Sequence, residues 1–313
     1  MQRITRRQWQ HIRNLSAVGF VTMMVMAVLA AQEPIDLTRL PVGDGQVSEE
    51  PMTGMVWACP QRGGRAGFIG GAHQQGPWFN GDGTFDFTAK VTVDGEVEWS
   101  SELMIITDGD NRLIVGNSLP DHPTGSYPII STDDAYQYDR NPNRIAAQEI
   151  VLELTTDPAL AESASCLGMG PIAISLSGAV IFNALDAENR DAVAWETQDS
   201  CQGHPEITGQ YHYHNLSSCL TDSLEAEPEG EHSALMGYAL DGFGLYGHHG
   251  ESGVVLTNAD LDECHGHTHG IEWEGEPVEM YHYHATYEYP YTIGCFRGTA
   301  AALPQQRPPP PRP

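Results

Sequence analysis

Tyr211-His212-Tyr213-His214 and Tyr281-His282-Tyr283-His284 are two copies of one tetrapeptide. Side chains alternate between the faces of a β-strand, so His212 and His214 share one face and Tyr211 and Tyr213 the other. The same holds for His282 and His284. Histidines two apart on a strand stand about 6.5–7 Å apart at their bases, from a rise of roughly 3.3 Å per residue, and imidazole rings are long enough to close that gap onto one cation. A third histidine stretch, His265-Gly-His267-Thr-His269, lies between the two copies. Half of the chain's 14 histidines fall in these three short stretches, which makes a metal site the leading reading. If the two strands pair or face each other, His212, His214, His282 and His284 converge on one ion, with His267 and His269 close by. The plainer alternative is a buried Tyr-His ladder held by hydrogen bonds, since both residue types suit strands.

Working outward, the composition points to a turn-rich, mostly β chain. It has 313 residues, with Gly 33 and Pro 21. The formal charge is −27, and Lys90 is the one lysine. Arg3, Arg6, Arg7 and Arg13 lie in residues 1–31, which hold no acid. The remainder carries 42 acids against 11 bases, or −31. Such a surface repels nucleic acid and anionic lipid and draws cations.

Residues 1–31 are expected to be an export signal or an N-terminal anchor. A basic segment ends at Arg13, an apolar run follows from Leu15 to Ala31, and Val28-Leu29-Ala30 offers small residues for cleavage. Thr5-Arg6-Arg7-Gln8-Trp9 resembles a twin-arginine signal. The protein is therefore expected to be periplasmic or secreted, touching a membrane only if this segment stays uncleaved. Residues 32–56, with Gly43-Asp44-Gly45 and Glu49-Glu50-Pro51, read as a solvated linker. One domain is expected over 57–299. Residues 300–313 read as an unpacked proline-rich tail.

Six cysteines follow the signal: Cys59, Cys166, Cys201, Cys219, Cys264 and Cys295. An even count in an exported chain implies three disulfides, with fifteen pairings open. No CxxC is present. Cys201 and Cys219 bracket the first tetrapeptide, and Cys264 and Cys295 bracket the third histidine stretch and the second tetrapeptide. Disulfides are expected to staple the loops around the histidines.

Alternating and short apolar runs place strands at Leu103–Thr107 and Leu113–Val115, at Ile145–Thr155, and on either side of Ser177-Gly178 and Asp241-Gly242. Asp94-Gly95 reads as a further hairpin turn. Pro158–Leu167 reads as a short helix. With no heptads and no βαβ alternation, the fold class is mostly β, an antiparallel sandwich-like domain with long loops and few short helices. No nucleophile elbow, HExxH or phosphate loop is present.

Several motifs now combine in order: Asn141-Pro142-Asn143, Ser177-Gly-Ala-Val-Ile-Phe182, Cys201-Gln-Gly-His204-Pro205, Gly209-Gln-Tyr-His-Tyr-His214, Gly237-Tyr-Ala-Leu-Asp-Gly-Phe-Gly-Leu-Tyr-Gly247, Leu261-Asp-Glu-Cys-His-Gly-His267, Tyr281-His-Tyr-His-Ala-Thr286, and Tyr289-Pro-Tyr-Thr-Ile-Gly-Cys-Phe-Arg-Gly298. Over about residues 100–298 the chain resembles the YHYH-domain family of exported proteins. It departs from the family pattern at Gly244, where proline is expected, and at His265, where asparagine is expected. His267 is thus the better ligand candidate in its loop. The family resemblance assigns no activity.

Two functions from different classes follow, beside a plain structural one. The first is an exported protein that binds copper or zinc through the paired tetrapeptides, with Asp241, Asp262, Tyr211 and Tyr281 supporting the ligands from behind. The second is a metal-dependent extracytoplasmic hydrolase or oxidase in which three histidines leave a coordination position open. The third is a structural β-domain of the cell envelope. The expected partner is the metal ion, not nucleic acid.

Overall fold

The apolar runs around Ser177-Gly178 and Asp241-Gly242 form the centre of the fold. In chain order the strands are β1 (Leu40–Pro41), β2 (Val47–Ser48), β3 (Val56–Trp57), β4 (Thr84–Phe85), β5 (Leu103–Asp108), β6 (Asn111–Gly116), β7 (Ile150–Thr155), β8 (Pro171–Ser175), β9 (Val180–Phe182), β10 (Gly203–Pro205), β11 (Tyr211–Tyr213), β12 (Leu235–Ala239), β13 (Gly244–Tyr246), β14 (Gly266–Trp273) and β15 (Glu276–His284). The described residues also form two short α-helices, α1 (Ala192–Trp195) and α2 (Ser218–Ser223), and four 3-10 turns. This computed structural model describes residues 35–60, 72–224 and 228–302. The expected export signal and residues 303–313 of the expected tail lie outside the described residues, whereas Ala301 of that tail packs on the core and donates its N–H to the Leu240 carbonyl oxygen at 2.8 Å. Among those described, no helix is long and apolar enough to cross a membrane.

The large sheet has eight strands in the order β10-β11-β9-β8-β12-β13-β15-β14. Its middle is buried on both faces, which is why β8 reads as a continuous apolar run rather than an alternation. The order is two-fold symmetric about the antiparallel β8–β12 pair. On one side β8 turns into β9, β9 pairs in parallel with β11, and β11 pairs antiparallel with β10. On the other side β12, β13, β15 and β14 repeat the same steps in the same senses. Gly178 and Gly242, at φ +94 and +92, make the two equivalent turns. A Cβ at Gly178 would also come within 2.8 Å of the Leu119 carbonyl oxygen.

The mostly β architecture is the one expected, but the β9–β11 and β13–β15 pairings are parallel. In both cases the chain leaves the sheet, adds the outermost strand, and returns beside the hairpin it left. That crossover path yields a parallel neighbour, which a short hairpin turn cannot do.

A second sheet of three antiparallel strands, β5-β6-β7, shares the main core. On β7, Ile150, Leu152 and Leu154 point inward while Val151, Glu153 and Thr155 point out. Arg112 of β6 ties this sheet to the large one. It is fully buried, 4.0 Å from the Tyr238 ring centroid and 4.9 Å from that of Trp273, and it pairs with Glu274.

Three local expectations differ from the structure. The stretch expected as a solvated linker is packed from Ile35 on: Leu40 and Val56 are core residues, and Gly43 donates its N–H to Asp191 at 2.8 Å. Its few apolar side chains find cover on the main domain, which composition alone does not reveal. Asp94-Gly95 makes no hairpin, because Val93 bridges to Asp199 and Val97 to Thr124 instead of to each other's strand. Pro158–Leu167 is not helical. Cys166 is tied to Cys59, and Ser165 bridges to Phe296, so this segment runs extended along its neighbours.

Candidate metal centre

Strand alternation places the two tetrapeptides as expected, with histidines on one face and tyrosines on the other. On the tyrosine face, Tyr211 donates to Asp199 at 3.0 Å and Tyr281 to Asp262 at 3.0 Å. The same two carboxylates accept the N–H groups of Cys201 and Gly203, and of Cys264 and Gly266. Tyr213 shares a hydrogen bond with Ser177 at 2.9 Å, and Tyr283 donates to Asp241 at 2.6 Å. Ser177 and Asp241 occupy equivalent turns. Glycine is required at 203 and 266 because a Cβ there would lie 2.2 Å and 2.4 Å from atoms of Tyr211 and Tyr281. Asp241 and Asp262 were expected to orient histidines. They orient tyrosines instead, because they stand on the opposite face of the strand.

On the histidine face the outer strands add further rings. The register places His204 opposite His212, and His267 opposite His282. His204, His212 and His214 form one cluster. His232, His267, His269, His282 and His284 form another, and within each cluster one donor atom per residue lies within 4.8 Å of all the others. The convergence of His212 and His214 with His282 and His284 does not occur. Strands β11 and β15 are five strand steps apart in the sheet, roughly 24 Å at about 4.8 Å per step. Each tetrapeptide serves its own half.

The ring tautomers are set by the backbone. The Nδ1 atoms of His212, His214, His232, His269, His282 and His284 lie 2.6–3.1 Å from the carbonyl oxygens of Gln210, Asn183, Ser233, Gly270, Met280 and Gly247. A carbonyl only accepts, so each Nδ1 carries a proton, and in the neutral ring the lone pair is then on Nε2. Three pairs of these Nε2 atoms face each other at 3.1 Å: His212 with His214, His269 with His282, and His232 with His284. Two lone pairs at that distance repel unless a cation lies between them. At metal–nitrogen bonds of about 2.0–2.1 Å, two ligand nitrogens stand roughly 2.9 Å apart at a right angle and roughly 3.3–3.4 Å apart at the tetrahedral angle. The observed spacing falls between these, so the donor set fits a transition metal.

Electrostatics favour the same state. Burial lowers the His282 ring to about 2 and the His267 ring to about 4, and holds His204, His212 and His284 well below the usual imidazole range. Desolvation disfavours imidazolium, which keeps these rings neutral and able to bind metal. His267 Nε2 and both ring nitrogens of His204 are buried with no hydrogen-bond partner. His265, by contrast, spends its ring on the His284 carbonyl oxygen, Asn258 and Thr286, so it is no ligand. It sits at φ +77, a left-handed position that asparagine occupies more readily than most residues.

Residues 151–254 match the family model described as YHYH protein. Over that stretch the chain is similar to the YHYH family. The match takes in the first tetrapeptide and the whole central hairpin pair. No curated protein and no solved structure matches the chain.

The YHYH-family motifs also contain the site residues that the tetrapeptides alone do not reveal. Asp199-x-Cys-x-Gly-His204 and Asp262-x-Cys-x-Gly-His267 are one motif repeated, and that repeat identifies His204 as the partner of His267. His232 carries no comparable signal, since it reaches its cluster from a loop. The disulfides Cys201–Cys219 and Cys264–Cys295 join the cysteine pairs that bracket the tetrapeptides, as expected. Because those cysteines are oxidised, the grouping of His122 with Cys201 and Cys219 offers no thiolate.

Proposed function

We propose that this is an exported metal-binding protein whose main centre is the five-histidine cluster His232, His267, His269, His282 and His284, holding copper or zinc. The observation that carries this reading is the opposed pairs of Nε2 lone pairs, His269 with His282 and His232 with His284, with every Nδ1 of these four rings committed to a carbonyl. Five imidazole nitrogens exceed the four that tetrahedral zinc would use, which favours copper(II). The acidic surface raises the local cation concentration. Three disulfides fit an oxidising, extracytoplasmic compartment, which supports export.

The second reading is a metal-dependent extracytoplasmic enzyme acting at the same centre. It is favoured by the partial exposure of His232 and His267, which leaves the ion within reach of a small molecule. When bound, the metal would supply Lewis acidity or redox chemistry. The chain's own residues hold the ion, keep the rings neutral and fix their orientation.

Replacing both His269 and His282 with alanine tests the centre. Isothermal titration with copper(II) and zinc should show a high-affinity event lost in the double variant. Unchanged titration curves would rule out the cluster as the binding site.

A further inference from the structure

We propose that His204, His212 and His214, closed by the carboxylate of Glu196, form a second and different metal site: a buried, four-coordinate, structural one that takes zinc. It stands apart from the five-histidine centre and does not depend on that reading.

Three histidine nitrogens converge, and a carboxylate stands beside two of them. Glu196 Oε2 lies 3.5 Å from His204 Nε2 and 3.4 Å from His214 Nε2. His212 and His214 present their Nε2 lone pairs to each other at 3.1 Å. Their protons are fixed on Nδ1 by the carbonyls of Gln210 and Asn183. His204 is only 3% exposed, yet neither of its ring nitrogens has a hydrogen-bond partner, and the buried Glu196 Oε2 accepts none either. Burying these ring nitrogens and the carboxylate oxygen without partners is costly, and a divalent cation would satisfy one nitrogen of each ring together with the carboxylate. Three neutral imidazoles and one carboxylate around Zn²⁺ leave a net charge of +1, a lighter burden to bury than the bare ion.

The surroundings hold this arrangement rigid. Phe182 stacks on His212 with ring centroids 3.9 Å apart. Lys90 donates to the carbonyls of Val193 and Glu196 and to the Gln198 side chain, which pins the segment that carries Glu196. The Cys201–Cys219 disulfide clamps the chain on both sides of the tetrapeptide. All three histidines are buried, whereas His232 and His267 of the other centre are partly exposed. Closed, fully liganded zinc sites are structural, and open ones exchange. The two symmetric halves therefore divide the work: one ion for stability, one within reach of solvent.

The test is made on the full exported protein loaded with zinc alone. Elemental analysis should find two ions per chain. Brief treatment with EDTA should remove one, and the other should leave only on unfolding. His204→Ala or Glu196→Gln should abolish the chelator-resistant ion, while the double replacement of His269 and His282 should keep it. Zinc-edge anomalous diffraction from wild-type crystals removes any dependence on whether the variants fold. A peak bonded to His204, His212, His214 and Glu196 is the expected result. No peak there, or folded protein free of zinc after EDTA, overturns this proposal and leaves the five-histidine reading standing. A zinc peak there alone would support this proposal and restrict the five-histidine centre to copper.

Discussion

Tyr281 donates its hydroxyl to Asp262, and Asp262 in turn accepts the N–H groups of Cys264 and Gly266 at the start of β14. This one carboxylate fixes the strand that carries His282 to the strand that carries His267. Tyr281→Phe removes the bond and keeps the ring. It should cost about 1.5–3 kcal/mol of stability, the usual range for a hydrogen bond to a charged acceptor. Metal affinity at the five-histidine centre should fall only modestly, since the histidine face stays intact. Urea denaturation and metal titration of the variant check both parts.

Two buried carboxyl groups make stability depend on pH. Burial raises Asp139 to about 7 and Asp191 to about 6, each partly offset by the hydrogen bonds it accepts. In the unfolded chain both lie near the ordinary value of about 3.9. The folded state therefore holds protons that the unfolded state has released. The stability these groups contribute is complete below about pH 4 and drains away as pH rises through about 6 and 7. Asp191→Asn and Asp139→Asn should flatten the fall in stability over that window, whatever they cost at pH 4. Denaturation of metal-free wild type and variants at several pH values between 4 and 7.5 measures the difference. Parallel profiles would refute the assignment.

Arg112 should not tolerate lysine. Its guanidinium lies over Tyr238 and Trp273 and reaches Glu274 from a fully buried position. Lysine keeps the charge and loses both the planar stacking and the forked donors. Arg112→Lys should cost about 1–3 kcal/mol, and Arg112→Ala about 3–5 kcal/mol, because alanine opens a cavity beneath Tyr238 and Trp273. Thermal unfolding of the two variants gives the order.

Much of this architecture is legible in the chain because its determinants are local. The hairpin turns at Gly178 and Gly242, the alternation of Tyr and His on β11 and β15, and the bracketing of each tetrapeptide by a cysteine pair are all short-range patterns. What they do not contain is the sheet order. Nothing between Phe182 and Tyr211 says that β11 returns parallel to β9, so the distance between the two tetrapeptides stays hidden. The prediction of one four-histidine site failed on that point alone. His232 was missed for a related reason. It is an isolated histidine in a loop, and only the fold carries its ring to within 3.1 Å of His284. His204 was within reach, because the repeated Asp-x-Cys-x-Gly-His motif sets it beside His267.

The central claim is that these histidines hold metal, and metal content tests it most directly. Protein purified without chelator, and analysed for its elements beside the variant lacking His269 and His282, should carry at least one copper or zinc ion per chain that the variant loses. Wild-type protein that is folded and disulfide-bonded, yet carries metal only at trace levels and takes up none when copper or zinc is added, would contradict the account and leave the Tyr-His face as a hydrogen-bonded core.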